Sequence, residues 1–283
     1  MKTNNILVPL DFSSESRNAL QVAIQIAQRT DATISLLHVL EIPSASYSMV
    51  GDVYAGSVAL DNVYTSHIQE SAESQLTSVV QWIEKQGVEV NSNIVHGSVF
   101  REIEQRARQD KVDLIVMGSK GASGWQEVLI GSNAEKVIRQ SKIPVLIIKK
   151  PLDLDDIRNI LLAVGDDTDR SVDAAKAMQL LTGATCHLLK VYRRTTLDKT
   201  LEQTEKDLQE FAEKTGFRDY TTNVVFAQWV EEGILDFVTN HSIDMIIIGT
   251  HGYKGINHFL LGSHAEDIAN HSELPVLSIN IKD

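Results

Sequence analysis

Two short glycine-rich runs carry the residue types that bind phosphate. Gly118-Ser119-Lys120-Gly121 is followed by nine residues and then Gly131-Ser132, and Gly249-Thr250-His251-Gly252 is followed by nine residues and then Gly262-Ser263. A glycine at the end of a strand lets the backbone turn with positive φ and approach an anion closely. A helix N-terminus after the last glycine would offer free N–H groups to a phosphate. The repeated spacing therefore predicts a phosphate-binding loop in each half of the chain.

The residues after each loop predict the start of a helix. Ser132 with Glu135, and Ser263 with Glu266, fit the Ser-x-x-Glu capping box. A single copy of this pattern would be hard to distinguish from ordinary turn glycines and capping serines, whereas two copies with the same spacing favour phosphate binding. Lys120, and the pair His251 and Lys254, could meet the phosphate charges. The alternative for each of them is a solvated side chain in a polar loop.

Other chemistries fit the sequence less well. Neither loop ends in the Gly-Lys-Ser/Thr of a Walker loop, and no Gly-x-Gly-x-x-Gly follows the first strand. We find no nucleophile beside a base and no pair of carboxylates at a catalytic spacing, so no catalytic residue is predicted. His264 and His271 would lie two turns apart on one helix, whereas zinc sites favour an i, i+4 pair, so no metal site is predicted either. The sequence favours binding over catalysis.

Composition narrows the class of protein. The chain has 283 residues, 43% hydrophobic and 23% charged, as in an ordinary globular protein of about two domains. Its net charge of −12 opposes nucleic-acid binding over an extended surface. The apolar runs are too short to span a bilayer, no signal peptide is evident, and the single Cys186 cannot form an internal disulfide. We therefore expect a cytoplasmic protein without membrane attachment, in which Cys186 is a buried apolar residue.

The chain repeats itself. Residues 113–148 align without a gap onto residues 244–279 at an offset of 131, with 15 of 36 positions identical. At the front, Asn5-Ile6-Leu7 matches Asn159-Ile160-Leu161 at an offset of 154, so the first half holds 154 − 131 = 23 additional residues. These fall in residues 41–65. The boundaries predicted are a first domain at 1–150 and a second at 151–283, joined near Pro151.

Strand and helix patterns alternate in both halves. Apolar runs of strand length alternate with helical patterns such as the one at 68–86, which predicts a parallel sheet covered on both faces. The fold class predicted is therefore α/β, as two tandem doubly wound domains. The predicted strands are residues 6–10, 33–40, 88–95, 114–118 and 144–149, then 160–164, 185–191, 221–227, 245–250 and 275–280.

The loop spacing resembles that of the universal stress protein family, whose ATP-binding members carry Gly-x-x-Gly, nine residues and Gly-Ser or Gly-Thr. Further matches are Val8-Pro9-Leu10-Asp11, His38-Val39, Gly97 and Pro144-Val145-Leu146. The resemblance covers nearly the whole chain as two tandem family domains. It implies five-stranded sheets of order 3-2-1-4-5, similar to adenine-nucleotide α-hydrolases, with the nucleotide between the first and fourth strands.

The resemblance also implies roles for individual residues. In the first half, Asp11 would contact the adenosine, and Pro9 and Val39 would line the base pocket. The residues around the ribose and phosphates would be Met117, Gly118, Gly121, Gly131, Ser132 and Asn133. Their counterparts in the second half are Val191, Ile248, Gly249, Gly252, Gly262, Ser263 and His264.

The front of the second half departs from the family pattern. Ungapped alignment from Asn159 places Gly165 opposite Asp11, whereas alignment of Ser16 with Ser171 places Asp166 there. A strand or a loop has shifted by one residue. We expect the first half to bind nucleotide more tightly.

The function implied is a stress-response or signalling protein that binds ATP, or AMP or ADP, together with Mg²⁺, and whose occupancy changes its conformation or its protein partner. Two alternatives remain open: a slow ATPase or nucleotidyl-transfer enzyme on the same fold, and an interaction scaffold without nucleotide. The apolar last strands predict an internal pseudo-dimer of the two halves, and we expect a homodimer of chains. Residues 41–65 are predicted to be a mobile lid or docking segment, with a disordered segment as the alternative.

Overall fold

The computed structural model describes residues 2–41, 55–121, 130–165, 168–193, 200–250 and 264–280, with the backbone alone at 55–65, 193 and 264. Strands and helices alternate along these ranges. The first half contains β1 (Asn5–Pro9), α1 (Ser14–Thr30), β2 (Thr33–Leu40), α2 (Ala55–Glu84), β3 (Val90–His96), α3 (Val99–Gln109), β4 (Leu114–Gly118), α4 (Ser132–Gln140) and β5 (Val145–Ile148). The second half contains β6 (Asn159–Ala163), α5 (Asp169–Thr182), β7 (Thr185–Arg193), α6 (Leu201–Thr215), β8 (Tyr220–Ala227), α7 (Val230–Asn240), β9 (Met245–Thr250), α8 (His264–His271) and β10 (Val276–Asn280).

The strands form one continuous sheet in the order β3-β2-β1-β4-β5-β10-β9-β6-β7-β8. Each half has the predicted order 3-2-1-4-5 with parallel pairing, which confirms the fold class. The last strands β5 and β10 pair antiparallel, with Leu277 opposite Leu146. All four residues of β5 and all five of β10 are buried. Each apolar edge strand thus covers the other, as the sequence pattern predicts.

Two apolar clusters cover the sheet, one on each face. One contains residues of α1, α2, α5 and α6, and the other contains residues of α3, α4, α7 and α8. Because both faces are covered, the central parallel strands such as β1 and β4 are nearly continuously apolar. Cys186 of β7 is fully buried, as expected, and burial raises the pKa of its thiol to about 12.

The helix α2 is longer than the sequence pattern predicts. It begins at Ala55, whereas helical periodicity is clear only from Ile68. Part of the segment 41–65, predicted to be a mobile lid or docking segment, is therefore helical from Ala55 onward, and residues 42–54 lie outside the described ranges. Residues 55–65 contain no proline and one glycine. Adding a residue to an existing helix fixes one residue for each new hydrogen bond, so the helix continues without a regular apolar stripe.

The linker between the halves is held by α1. Gln25 donates a hydrogen bond to the carbonyl of Leu152 (3.1 Å) and accepts one from the N–H of Leu154 (2.8 Å). Arg29 forms an ion pair with Asp155 at 2.8 Å. A short 3₁₀ turn, Leu154–Asp156, then leads into β6. The linker therefore packs against the first half.

Candidate functional site

The predicted site lies where β1 and β4 are neighbours in the sheet. Ile6 of β1 pairs with Leu114 of β4, so the two strands end at the same edge. The chain leaves β1 toward α1 on one face and leaves β4 toward α4 on the other face. A crevice at such a switch point is where doubly wound sheets bind ligands. Asp11 follows β1 at this edge, and Gly118 ends β4.

The Asp11 carboxylate is oriented by the start of α1. Its Oδ1 accepts hydrogen bonds from the Ser13 N–H (3.1 Å) and the Ser13 hydroxyl (2.6 Å). Ser13 is itself the N-cap of α1, and its side chain accepts from the N–H of Ser16. The other oxygen, Oδ2, faces the glycine loop, because a Cβ on Gly121 would lie 2.9 Å from it. The structure thus brings Asp11 and Gly121 together.

The glycines of this loop allow neighbouring segments of the chain to approach it closely. A Cβ on Gly118 would lie 2.8 Å from the carbonyl carbon of Glu15, so β4 can end against α1 only with glycine there. Neither Gly118, Gly121 nor Gly131 has positive φ. The expectation that these glycines turn the chain through positive φ is therefore wrong, and the space available to a side chain is the reason for glycine at 118 and 121.

The helix α4 begins differently from the predicted capping box. Its N-cap is Gly131, which has no side chain, and α4 starts at Ser132. The Glu135 side chain instead pairs with Arg139 at 3.3 Å, one turn along the helix. The Gly131 N–H donates to the carbonyl of Ser119 at 2.7 Å, which joins the two ends of the loop. The next N–H groups, at Ser132 and Asn133, have no partner within the helix, as at any helix N-terminus.

Three apolar residues predicted for the site share one face of the sheet: Pro9 and Val39, predicted at the base, and Met117, predicted at the ribose and phosphates. Val39 and Met117 belong to the cluster on the α3 and α4 face. Pro9 ends β1 opposite Leu37, a member of the same cluster, and by strand alternation it faces the same way as Leu7. Met117 is buried, whereas Pro9 and Val39 are half-buried. Two of the three predicted residues therefore keep exposed surface.

Three lysines, Lys120, Lys149 and Lys150, lie close enough to influence one another near the loop, together with Glu273. Burial lowers the pKa of Lys149, and the nearby Lys120 and Lys150 lower it further, while Glu273 acts in the opposite direction. Lys149 donates a hydrogen bond to the carbonyl of Ser272, and Lys150 pairs with Glu273 at 2.8 Å. Lys120 of the loop thus lies in the field of two further lysines. A cluster of this kind attracts an anion.

The second half repeats part of this arrangement. Gly249 lies near the end of β9, Ile248 is buried beside it, and α8 begins at His264. Val191 lies on β7, where a Cβ on Gly233 would come within 2.7 Å of its Cγ1. The predicted residues Asp166, Gly252, Gly262 and Ser263 lie outside the described ranges, as do His251 and Lys254.

Backbone hydrogen bonds decide the alignment at the front of the two halves. The N–H of Leu10 donates to the carbonyl of Leu37 (2.9 Å). At the same place in the second half, the N–H of Val164 donates to the carbonyl of Leu189 (2.8 Å). Val164 is therefore the counterpart of Leu10, and Gly165 is the counterpart of Asp11. The helix α1 starts three residues after Asp11, whereas α5 starts four residues after Gly165. The additional residue lies in the loop, and the strands keep register.

Sequence reasoning missed a second group beside Asp11. Phe12 has a φ of 63°, and its ring lies 4.7 Å from the ring of His38. His38 Nδ1 makes a 2.6 Å hydrogen bond with the carbonyl oxygen of Leu10. Left-handed backbone at a bulky residue is uncommon and occurs mostly where the surrounding structure enforces it. A cavity of about 290 Å³ opens here toward His67 of α2. The motif contains no signal for the conformation of Phe12.

Two of the second-half histidines considered as metal ligands, His241 and His271, have local contacts. His264 and His271 lie at the two ends of α8, as predicted, and His271 Nδ1 bonds the carbonyl of Asp267 (2.8 Å). His241 stacks on Phe237 with ring centroids 3.8 Å apart. Within the described ranges, no group of three or more His, Cys, Asp or Glu side chains is arranged to hold a metal ion. Nor does any helix in the same ranges have the length and apolar character needed to cross a membrane.

Sequence comparison identifies the same family in both halves. The sequence model of the Universal stress protein family matches residues 2–149 and 156–280. Universal stress protein MJ0531 of Methanocaldococcus jannaschii is 34% identical over 146 residues, which are 52% of this chain and 82% of that protein. Universal stress protein Slr1230 of Synechocystis is 23% identical over 292 residues, 97% of this chain and 99% of that protein.

A solved structure shares the fold along nearly the whole chain. The crystal structure of a universal stress protein from Archaeoglobus fulgidus superposes with a TM-score of 0.73 at 23% identity. The match covers 98% of this chain and 96% of that one. Both halves, in their observed arrangement, therefore correspond to a known tandem architecture.

Proposed function

The chain belongs to the universal stress protein family, and on that basis we propose that it binds an adenine nucleotide in a stress-response or signalling role. ATP is the ligand proposed, and AMP and ADP are ligands that the same residues would also accept. The observation that carries the proposal is the Asp11 carboxylate beside Gly121, at the loop that leads to the N-terminus of α4.

This arrangement supports two kinds of contact with one ligand. A carboxylate accepts hydrogen bonds from ribose hydroxyls, while the N–H groups at a helix start donate to phosphate oxygens. Asp11 has one oxygen held by Ser13 and the other directed to the loop. The acceptor follows β1, and the donors follow the loop after β4, so they belong to the two neighbouring strands at the switch point. A nucleotide complements both, because its ribose hydroxyls can donate to the carboxylate and its phosphate oxygens can accept from the N–H groups.

The residues present fit an adenine nucleotide with its counter-ion. Lys120 and its neighbouring lysines would lower the cost of bringing a polyphosphate to the loop, and Mg²⁺ would offset the remaining phosphate charge. The proposed first-half contacts are Pro9, Asp11, Val39, Met117, Gly118, Lys120, Gly121, Gly131, Ser132 and Asn133. The proposed second-half contacts are Asp166, Val191, Ile248, Gly249, Gly252, Gly262, Ser263 and His264.

We propose that the first site is the tighter one. Gly165 stands where the first half has Asp11, so the second half lacks a carboxylate at the strand end. A hydrogen bond to a charged group contributes about 1.5–3 kcal/mol. The second site would therefore bind roughly ten- to a hundredfold more weakly.

Occupancy would act as a switch through α4. A nucleotide would connect the end of β1 to the start of α4, and α4 packs against α8 of the other half. Binding energy that favours one position of α4 would also favour one arrangement of the interface. A protein partner or a second copy of the chain would bind selectively to that arrangement of the interface. This role is proposed for a cytoplasmic protein with domains at 1–150 and 151–283.

The proposal is tested on the purified full-length protein. Acid releases the bound small molecules, mass spectrometry identifies them, and ADP production is followed for hours with Mg²⁺. We expect released adenine nucleotide and turnover far below the usual enzyme range of about 1 to 10³ per second. Absence of any nucleotide, with no binding of added ATP, would contradict the proposal. A Mg²⁺-dependent rate near about one per second that is lost in Gly131→Ala would instead favour an enzyme.

A further inference from the structure

We propose that Asn270, on α8 of the second half, is a positioning residue for the phosphate loop of the first half. The proposal rests on the nucleotide-binding function proposed above. It assigns to the second half a role in the first site that is independent of any ligand bound in the second half.

The contact joins the two halves at the loop. Asn270 Oδ1 accepts a hydrogen bond from the backbone N–H of Ile130 at 3.0 Å. The next N–H along the chain, at Gly131, donates to the carbonyl of Ser119 at 2.7 Å. Two successive N–H groups are thus held immediately before α4 begins. Their partners set the direction in which the free N–H groups of Ser132 and Asn133 point.

The surrounding interface keeps Asn270 in place. Arg139 of α4 contacts Glu266 of α8 at 3.4 Å and Glu135 of its own helix at 3.3 Å. Glu266 and Asn270 are four residues apart and therefore share one face of α8. Ile130 is buried, with 8% of its surface exposed. A buried N–H without an acceptor would be costly, so the loop depends on the Asn270 carbonyl.

The residue equivalent to Asn270 in the first half cannot make the same contact. At the repeat offset of 131, Arg139 is the counterpart of Asn270, and Leu261, outside the described ranges, is the counterpart of Ile130. A guanidinium carries only donors and no acceptor. Arg139 therefore cannot accept the N–H of Leu261 and instead pairs with Glu266. The Asn270 contact therefore has no equivalent made by Arg139 in the first half.

The test uses Asn270→Ala in the full chain, with ATP titration calorimetry and amide hydrogen exchange at Ile130. We expect exchange at Ile130 to accelerate and the tighter ATP site to weaken by about three- to tenfold, the range of one neutral hydrogen bond. The weaker site should keep its affinity. Asn270→Asp should restore protection at Ile130, because a carboxylate oxygen can accept the same bond.

Asn280→Ala is the matched control. The Asn280 side chain also crosses between the halves, but it donates to the carbonyl of Ser141 at 3.2 Å, at the opposite end of α4 from the loop. Its loss should lower thermal stability without changing exchange at Ile130 or affinity. The proposal is overturned if Asn280→Ala reproduces the effect on affinity, or if Asn270→Ala changes neither readout while the wild type binds ATP. A wild type that binds no ATP overturns the proposed function itself, and this inference with it.

Discussion

In the first half, Asp11 Oδ2 lies 2.9 Å from the point where a Cβ of residue 121 would stand. Two motifs that are 110 residues apart in the sequence therefore meet at one edge of the sheet. Glycine at 121 lets the loop after β4 come within contact distance of the carboxylate after β1. The acceptor and the donors of the proposed site depend on this approach.

Gly121→Ala should weaken ATP binding. The added methyl group would stand 2.9 Å from Asp11 Oδ2, so the carboxylate proposed to bind the ribose would have to turn away from the loop. We expect affinity at the tighter site to fall by about five- to a hundredfold, measured by titration calorimetry. Gly165→Ala is the control, since among the described residues its Cβ would meet only Thr168 Cγ2, at 3.9 Å. Equal affinity losses in both variants would contradict the role assigned to the close approach.

Gly165→Asp should strengthen the second site. It introduces a carboxylate at the strand end where the backbone hydrogen bonds place the counterpart of Asp11. We expect the weaker phase of ATP binding to tighten by roughly ten- to a hundredfold. Unchanged binding in a folded variant would show that the carboxylate at this place does not account for the difference between the halves.

Leu277→Ala should destabilise both halves together. Leu277 is fully buried at the centre of β10, opposite Leu146 of β5. Truncating a buried leucine costs about 2–5 kcal/mol. Leu180→Ala, at a leucine with 72% of its surface exposed, should change stability by less than about 0.5 kcal/mol. Urea unfolding measures both variants, and a second transition left unchanged by Leu277→Ala would contradict a shared core.

Glu266→Gln should stabilise the protein in a pH-dependent way. Burial raises the pKa of Glu266 above its usual 4.5, and the negative Glu135 raises it further, while Arg139 acts in the opposite direction. A carboxyl with a raised folded-state pKa favours folding while it is protonated, and this stability is lost as pH rises through the folded pKa. The variant should therefore melt above the wild type at pH 8 and lose that advantage near pH 4.5.

Glu273→Gln should change stability in the opposite direction, lowering it at neutral pH. A hydrogen bond from Lys150 lowers the pKa of Glu273, so its contribution is present above the ordinary pKa and is lost as pH falls. Because Glu273 is largely exposed, the change should be small. Melting curves from pH 4 to 8 compare the two variants, and a lower melting temperature for Glu266→Gln at pH 8 would contradict the assignment.

Local sequence patterns predicted much of the fold and the components of the site. The apolar strands, the repeat and the two glycine loops are visible because each depends on neighbouring residues. The contact between Asp11 and Gly121 and the bond between Asn270 and Ile130 join distant parts of the chain, and no local pattern encodes them. The capping box predicted from Ser132 and Glu135 is wrong because Gly131, and not Ser132, is the N-cap of α4. The start of α2 was missed because residues 55–65 have no regular apolar spacing.

The central claim is that the first half binds an adenine nucleotide through Asp11, and its test requires a variant that leaves the fold intact. Gly118→Val is unsuitable, since its side chain would collide with the backbone of Glu15. Asp11→Asn is suitable because the amide oxygen can still accept the hydrogen bonds from Ser13. The other oxygen is replaced by an NH₂ group, which cannot accept a bond from a ribose hydroxyl.

The decisive measurement is titration calorimetry of ATP into nucleotide-free wild type and Asp11→Asn at equal concentrations. We expect two phases in the wild type. In Asp11→Asn the tighter phase should weaken by roughly ten- to a hundredfold while the weaker phase and the melting temperature stay unchanged. No binding to the wild type, or an unaltered tighter phase in Asp11→Asn, would contradict the account.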